Sequence, residues 1–330
     1  MQKVGVKAVV IGGGTGSFAV LSGLKHYCRD IVALVSMADD GGSTGELRDE
    51  LGALPPGDVR QCLVALSESS IVRDLFNYRF EEGRLGGHSF GNLFLTALEQ
   101  VTGNFAEAVE TAGDVLKITG RVIPMTLDNV HLLVQLTDGR VVRGQHAVDL
   151  ADLQSQAPKP WLMLEPEARV NPDANQAIRD ADLVVIAPGD LYTSLGPALI
   201  IKGVNQALEA TKAKVVYVCN LVTKPGQTTN MGVHEHAAEI ERFCGRNLDF
   251  VLYNTAKPNK TLSMRYKKEG ELLIDAPHPR HTNYTVVGEE LIAQQEPTIN
   301  KKGDKLAAHR SFIRHDPDLV ARALMRVYFS

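Results

Sequence analysis

Apolar positions along the chain follow two alternating rhythms, short unbroken runs and helical stripes. Val6 to Ile11 is a valine-rich run, followed at once by Gly12-Gly13-Gly14-Thr15-Gly16-Ser17 and by apolar residues at Phe18, Leu21 and Leu24. That order predicts strand, glycine turn and helix. Ile31 to Met37 is the next buried-strand candidate and ends in Ala38-Asp39-Asp40-Gly41-Gly42, so the first 42 residues read as a βαβ unit. Asp58 with Gln61 three residues on resembles a capping box ahead of a stripe at Val59, Cys62, Leu63 and Leu66. Ser89 is placed to cap a second helix, whose predicted buried stripe is Phe90, Phe94, Ala97, Leu98 and Val101.

Thr137-Asp138-Gly139 lies between two apolar stretches, 130–136 and 140–143, and Asp-Gly is the dipeptide of a tight hairpin turn. Alternation then resumes: strand 183–187, helix 197–208, strand 214–219, helix 234–243, strand 250–253. Asp316 as N-cap with Pro317 at the first helical position opens a last helix, with a stripe at Leu319, Val320, Ala323, Leu324 and Val327. Strands alternating with helices of this length predict a mostly parallel α/β sheet of Rossmann-like type, with helices on both faces. The pattern reads as one domain over 1–330, with a helical insertion near 46–120 and an antiparallel hairpin near 129–146.

Composition narrows the function classes. The 330 residues carry 35 basic and 39 acidic side chains, a net of −4. No basic run stands out, so polymeric nucleic acid is not an expected partner. The charge-free stretch from Ala8 to Leu24 is broken by the Gly12-Gly13-Gly14 turn and so does not read as a membrane span or a signal segment, and no export signal is visible. Cys28, Cys62, Cys219 and Cys244 lie far apart and read as reduced core thiols of a cytoplasmic protein. His234 and His236, two apart on a helix, are poor metal partners and read as surface histidines.

The candidate chemistry sits where strands end, since ligands of open parallel sheets bind beyond the strands' carboxyl ends. Gly12, Gly13, Gly14, Thr15 and Gly16 would let an anion approach the backbone at a helix N-terminus. Asp39 and Asp40 end the second strand as a ribose acceptor, a general base or Mg2+ ligands, and only one of two adjacent carboxylates is expected to face the cleft. Thr193 and Ser194 are positioned to donate to a phosphate, although Asp190 would repel it, and Asn220 to read a base or sugar edge. The competing reading for Asp39, Asp40, Thr193, Ser194 and Asn220 is ordinary capping and turn formation.

Six blocks taken together, Gly12-Gly13-Gly14-Thr15-Gly16, Ala38 to Ser43, Leu54 to Arg60, His88 to Leu93, Ala187 to Ser194 and Val216 to Asn220, resemble the bacterial gluconeogenesis factor family, which is related to 2-phospho-L-lactate transferase. Arg314-His315-Asp316 is similar to that family's C-terminal signature. The resemblance implies a cytoplasmic regulatory protein, needed for cell shape and for growth on gluconeogenic carbon sources, that binds a UDP-sugar through Thr15 and Arg314. It adds Ser89 and Asn92 to the expected ligand-binding residues. The family's usual serine is replaced by Asp190, and the segment after Asp39-Asp40 follows the gluconeogenesis-factor pattern and not the transferase's own. A phospholactate-type transferase acting with Mg2+ from a nucleoside-diphosphate-linked donor is the alternative expectation. A homo-oligomer stays open.

Overall fold

The computed structural model describes residues 3–156, 159–258, 260–293 and 313–330. β1 (Val4–Ile11), α1 (Gly14–Leu24) and β2 (Cys28–Val35) form the opening βαβ unit. Five helices follow: α2 (Gly42–Leu51), α3 (Pro56–Leu66), α4 (Ser70–Asn77), α5 (Phe90–Thr102) and α6 (Phe105–Leu116), before β3 (Arg121–Pro124). The hairpin forms as β4 (His131–Gln135) and β5 (Val141–Arg143), then α7 (Gln145–Leu150) and β6 (Trp161–Glu165). After α8 (Pro172–Arg179) and β7 (Leu183–Ile186), the predicted helix 197–208 is broken into α9 (Gly196–Leu199) and α10 (Val204–Ala210), preceded by a wide helical turn over Leu191–Leu195. β8 (Lys214–Val218), α11 (Val233–Cys244), β9 (Phe250–Asn254), α12 (Lys260–Lys268), β10 (Thr285–Glu289) and α13 (Pro317–Phe329) complete the chain.

The main sheet has the order β10-β9-β8-β7-β1-β2-β3, with every pairing parallel. A separate antiparallel sheet of order β5-β4-β6 includes a third strand, β6, that the sequence reading did not anticipate. Side chains alternate across the central strands: Val9, Ile11, Val184 and Ile186 enter one core with α8, α10, α11 and the small sheet. Val6, Ala8, Val10, Leu183 and Val185 enter the other with α1, α3, α6 and α13. Both faces of the sheet are therefore covered, which is why its strands are continuous apolar runs.

Two helical assignments change. α3 begins at Pro56, with Pro55 in the N-cap place, so Asp58 lies within the first turn and is not its cap. In α5 the buried face is Gly91, Asn92, Leu95 and Thr96, while Val101 is 82% exposed. Polar Asn92 and Thr96 turn inward here, while Phe90, Phe94 and Leu98 of the predicted stripe are partly buried against the core and Ala97 is exposed. His234 and His236 are also buried, not on the surface. The first is held by the Tyr284 hydroxyl and the His278 carbonyl, the second by the Gly232 carbonyl. All four cysteines are buried and unpaired. No helix of the described residues is long and apolar enough to cross a membrane.

Candidate functional site

The chain order reverses between β1 and β7, from β1-β2-β3 on one side to β7-β8-β9-β10 on the other. In doubly wound sheets, that switch point opens a crevice beyond the strand ends. A cavity of about 700 Å3 lies there, within the range of pockets that enclose small ligands. Its walls come from the start of α1 (Thr15, Gly16, Phe18), from α3 (Arg60), from the loops after β7 and β8 (Gly189 to Asp190, Asn220 to Lys224), and from Arg314 and His315 before α13.

Local chemistry explains why α1 can begin here. Gly12 and Gly14 hold φ of +149° and +64°, a region that favours glycine. A Cβ on Gly16 would come within 1.9 Å of the Pro188 carbonyl oxygen, so the first turn of α1 presses directly on the loop after β7. No side chain of its own N-cap serves α1. Instead Asp58 reaches across from α3: its carboxylate fills the space a Gly13 side chain would take, and the Gly14 N–H donates to it. Asp39 lies beside it, accepting from the Gly41 N–H at 3.0 Å and from Thr44. Burial and the neighbouring Asp39 charge push the Asp58 carboxyl up to about 7, and burial raises Asp39 as well.

One carboxylate of the pair is expected to face the cleft; Asp39 instead turns inward, beside Asp58. Asp40 turns away and accepts from the backbone N–H groups of Gln145 and His146 at 2.9 and 3.0 Å, so it caps α7. Neither carboxylate lines the cavity.

Among the other expected residues, Thr15, Gly16, Asn220 and Arg314 are brought together on the cavity wall. Ser89 instead caps α5, accepting from the Asn92 N–H at 3.3 Å. Asn92 is buried, and its Oδ1 accepts from Arg60 Nε at 2.9 Å, while Asn77 Oδ1 accepts from Arg60 Nη1 at 2.5 Å. Asn92, with Asn77, therefore works one step back, aiming a guanidinium, and Ser89 caps the helix that carries Asn92. Thr193 is buried with its Oγ1 unpartnered, and neither it nor Ser194 lines the cavity. Asn220 does not present its amide to a ligand: Nδ2 donates to the Gly189 carbonyl at 2.9 Å, and Oδ1 accepts from the Gly189 N–H at 3.1 Å. It latches the β7 loop to β8. Asn220→Leu is expected to cost about 2 kcal/mol in urea denaturation, because both Gly189 groups lose their partner.

Sequence reasoning missed Arg60 and His315. The signal for Arg60 was Gly91, where a Cβ would come within 2.6 Å of the arginine stem. His315 is buried on the cavity wall and donates to the Cys219 carbonyl; burial depresses its pKa to about 4, so the ring is neutral. Among the described residues no three His, Cys, Asp or Glu side chains converge to hold a metal.

The model of the 2-phospho-L-lactate transferase CofD family matches residues 8–292. A putative gluconeogenesis factor of Clostridium acetobutylicum is 40% identical over 326 residues, 97% of this chain and 69% of its own length. The gluconeogenesis factor of Bacillus subtilis is 36% identical over 322 residues, 97% of each chain. A crystal structure of a UPF0052-family protein from Bacillus halodurans superposes with a TM-score of 0.85 at 33% identity, covering 98% of this chain and 99% of that one. With the glycine turn, the acidic residues behind it and the cavity wall from Thr15 to Glu271 inside the matched span, and only the Arg314 side of the wall beyond it, this chain belongs to the 2-phospho-L-lactate transferase CofD family, among the relatives that carry the name gluconeogenesis factor.

Proposed function

We propose that the protein is a cytoplasmic regulator that binds a UDP-sugar in the switch-point cavity and supports cell shape and growth on gluconeogenic carbon sources. One observation carries the reading: the N-terminus of α1, Arg60 and Arg314 converge on a single cavity of about 700 Å3. The positive dipole end of α1, where the first-turn N–H groups after Gly14 have no acceptor within the helix, and two guanidinium groups are the donors a diphosphate needs. The test is a thermal-shift panel of UDP-sugars, guanine nucleotides, NAD and a deazaflavin, each with and without Mg2+. A UDP-sugar at about a hundred times its dissociation constant should stabilise the fold by about 2.7 kcal/mol. Arg60→Met should reduce that shift by about 2 kcal/mol, the worth of a charge-assisted contact. A panel in which only a guanine nucleotide with Mg2+ moves the melting curve overturns the reading.

The buried Asp39 and Asp58 pair favours a second reading, phospho-group transfer. A carboxyl near pH 7 is poised to take the proton of an acceptor hydroxyl while that oxygen attacks the phosphorus of a nucleoside-diphosphate-linked donor and the nucleoside monophosphate departs. In that case Asp39 would help hold a Mg2+ ion, which takes one or two carboxylates together with substrate phosphates and water and neutralises phosphate charge, leaving Asp58 as the base. Product formation that survives both Asp39→Asn and Asp58→Asn removes this reading.

A further inference from the structure

The two sides of the cavity differ in the charges they present. Thr15, Gly16 and Arg60 belong to elements on one face of the sheet. Facing the same space from the loops after β7 and β8 are Asp190 and Lys224, with Glu271 beside them. Lys224 Nζ lies 2.6 Å from Asp190 Oδ2 and 2.5 Å from Asp149 Oδ1 on α7. Its single positive charge is thus shared by two carboxylates before any ligand arrives. Burial alone would lower the pKa of this ammonium, but the two carboxylates outweigh it and hold it above its ordinary value.

Glu271 adds a third carboxylate, and the backbone fixes it there. Val222 bridges antiparallel to Leu273, the Thr223 N–H donates to the Leu272 carbonyl at 2.7 Å, and the Leu272 N–H returns to Thr223 Oγ1 at 3.0 Å. Glu271 is therefore anchored beside Lys224. Burial and the charges of Glu269 and Asp190 push its carboxyl up, the behaviour of an acid in a wall that already holds excess negative charge.

Among the described residues the aromatic side chain on the cavity wall is Phe18, one turn along α1 from Thr15 and on the diphosphate side. A nucleobase has its stacking surface there, whereas the Asp190, Lys224 and Glu271 wall offers carboxylate acceptors suited to hydroxyl donors. Resting on the UDP-sugar reading, we infer that this wall is a specificity filter for the sugar, admitting neutral, hydroxyl-bearing sugars and rejecting sugars that carry a carboxylate. A uronate brought to this wall meets Asp190 and Glu271, while the positive charge of Lys224 beside them is already shared by two carboxylates, and like charges at such range repel.

Dissociation constants of UDP-glucose and UDP-glucuronate, measured by isothermal titration on the full chain, test this. The neutral sugar should bind at least tenfold tighter, about 1.4 kcal/mol. The ratio should shrink at least threefold in 1 M NaCl, where charge repulsion at an accessible wall is screened. In the double variant Asp190→Asn with Glu271→Gln it should fall to within twofold. Equal binding of the two sugars by the unaltered protein, or a ratio indifferent to both salt and the double variant, overturns the filter and leaves the UDP-sugar reading standing. Binding of neither sugar overturns both.

Discussion

Replacing Gly16 by alanine is expected to destabilise the protein by about 3 kcal/mol and to abolish ligand-induced stabilisation at the switch-point cavity. The added methyl would lie 1.9 Å from the Pro188 carbonyl oxygen, 2.8 Å from its carbon and 3.2 Å from its Cβ. Two of those three atoms are backbone, so no rotamer change relieves the clash. α1 must instead lift off the β7 loop, and that movement separates the α1 N-terminus from Gly189 and Asp190 across the cavity. The other end of α1 is pinned in the same way, since a Cβ on Gly23 would come within 1.9 Å of the Pro317 carbonyl oxygen at the start of α13. With both ends pressed against backbone, the helix cannot tilt freely to accommodate the methyl. Gly5→Ala is the internal control: nothing lies within 4 Å of the new methyl, so its effect should stay within about 0.5 kcal/mol. Urea denaturation of the three proteins measures the difference. A Gly16→Ala variant as stable as Gly5→Ala would show that the contact is not tight.

Asp58→Asn is expected to stabilise the protein at alkaline pH and to leave it unchanged in acid. The folded chain holds the Asp58 carboxyl up to about 7, against an ordinary value of 3.8, because burial and the Asp39 charge disfavour the ionised form. Between those two values the native state keeps a proton that the unfolded chain has released. Stability from this group is therefore fully present below about pH 4 and is lost as pH rises through 7. For an isolated carboxyl a rise of that size is worth about 4 kcal/mol. Asp39 is raised too and shares the burden, so one substitution should recover about 2 kcal/mol at pH 8.5. Chemical denaturation at pH 4.5, 6.5 and 8.5 should show the two proteins converging in acid and diverging in base. Parallel curves across that range would mean that Asp58 is ionised throughout, and the general-base role would lose its basis.

Much of the scaffold follows from local pattern. β1, β7 and β8 are apolar runs because both faces of each strand are covered, and such runs need no tertiary knowledge to recognise. The Asp316 cap with Pro317 behaves as its residue types require, accepting from the N–H groups of Asp318 and Leu319. Asp138-Gly139 turns the hairpin for the same local reason, with Gly139 at a φ of +86°. The glycine loop was legible as a strand-to-helix turn, and Thr15 and Arg314 reach one cavity from opposite ends of the chain.

Roles that depend on what lies across a gap were not legible. Asp58 has the sequence of a cap for its own helix, yet its carboxylate serves the N-terminus of α1. Asn220 has the residue type of a ligand reader, yet Gly189 occupies both ends of its amide. Asp39 and Asp40 are adjacent in sequence, but strand alternation sends one toward Asp58 and the other to α7.

By itself, then, the sequence determined the parallel α/β class, the strand-end loops and the anion-friendly start of α1, because these depend on periodicity, backbone freedom and helix dipoles over a few neighbouring residues. The tertiary structure decided which of those loops share a cavity, that Arg60 is aimed into it by Asn77 and Asn92, and that Lys224 meets two carboxylates there. Those contacts join residues from 17 to 75 positions apart, and partners so separated are chosen by sheet order and helix packing, which no short window of sequence contains.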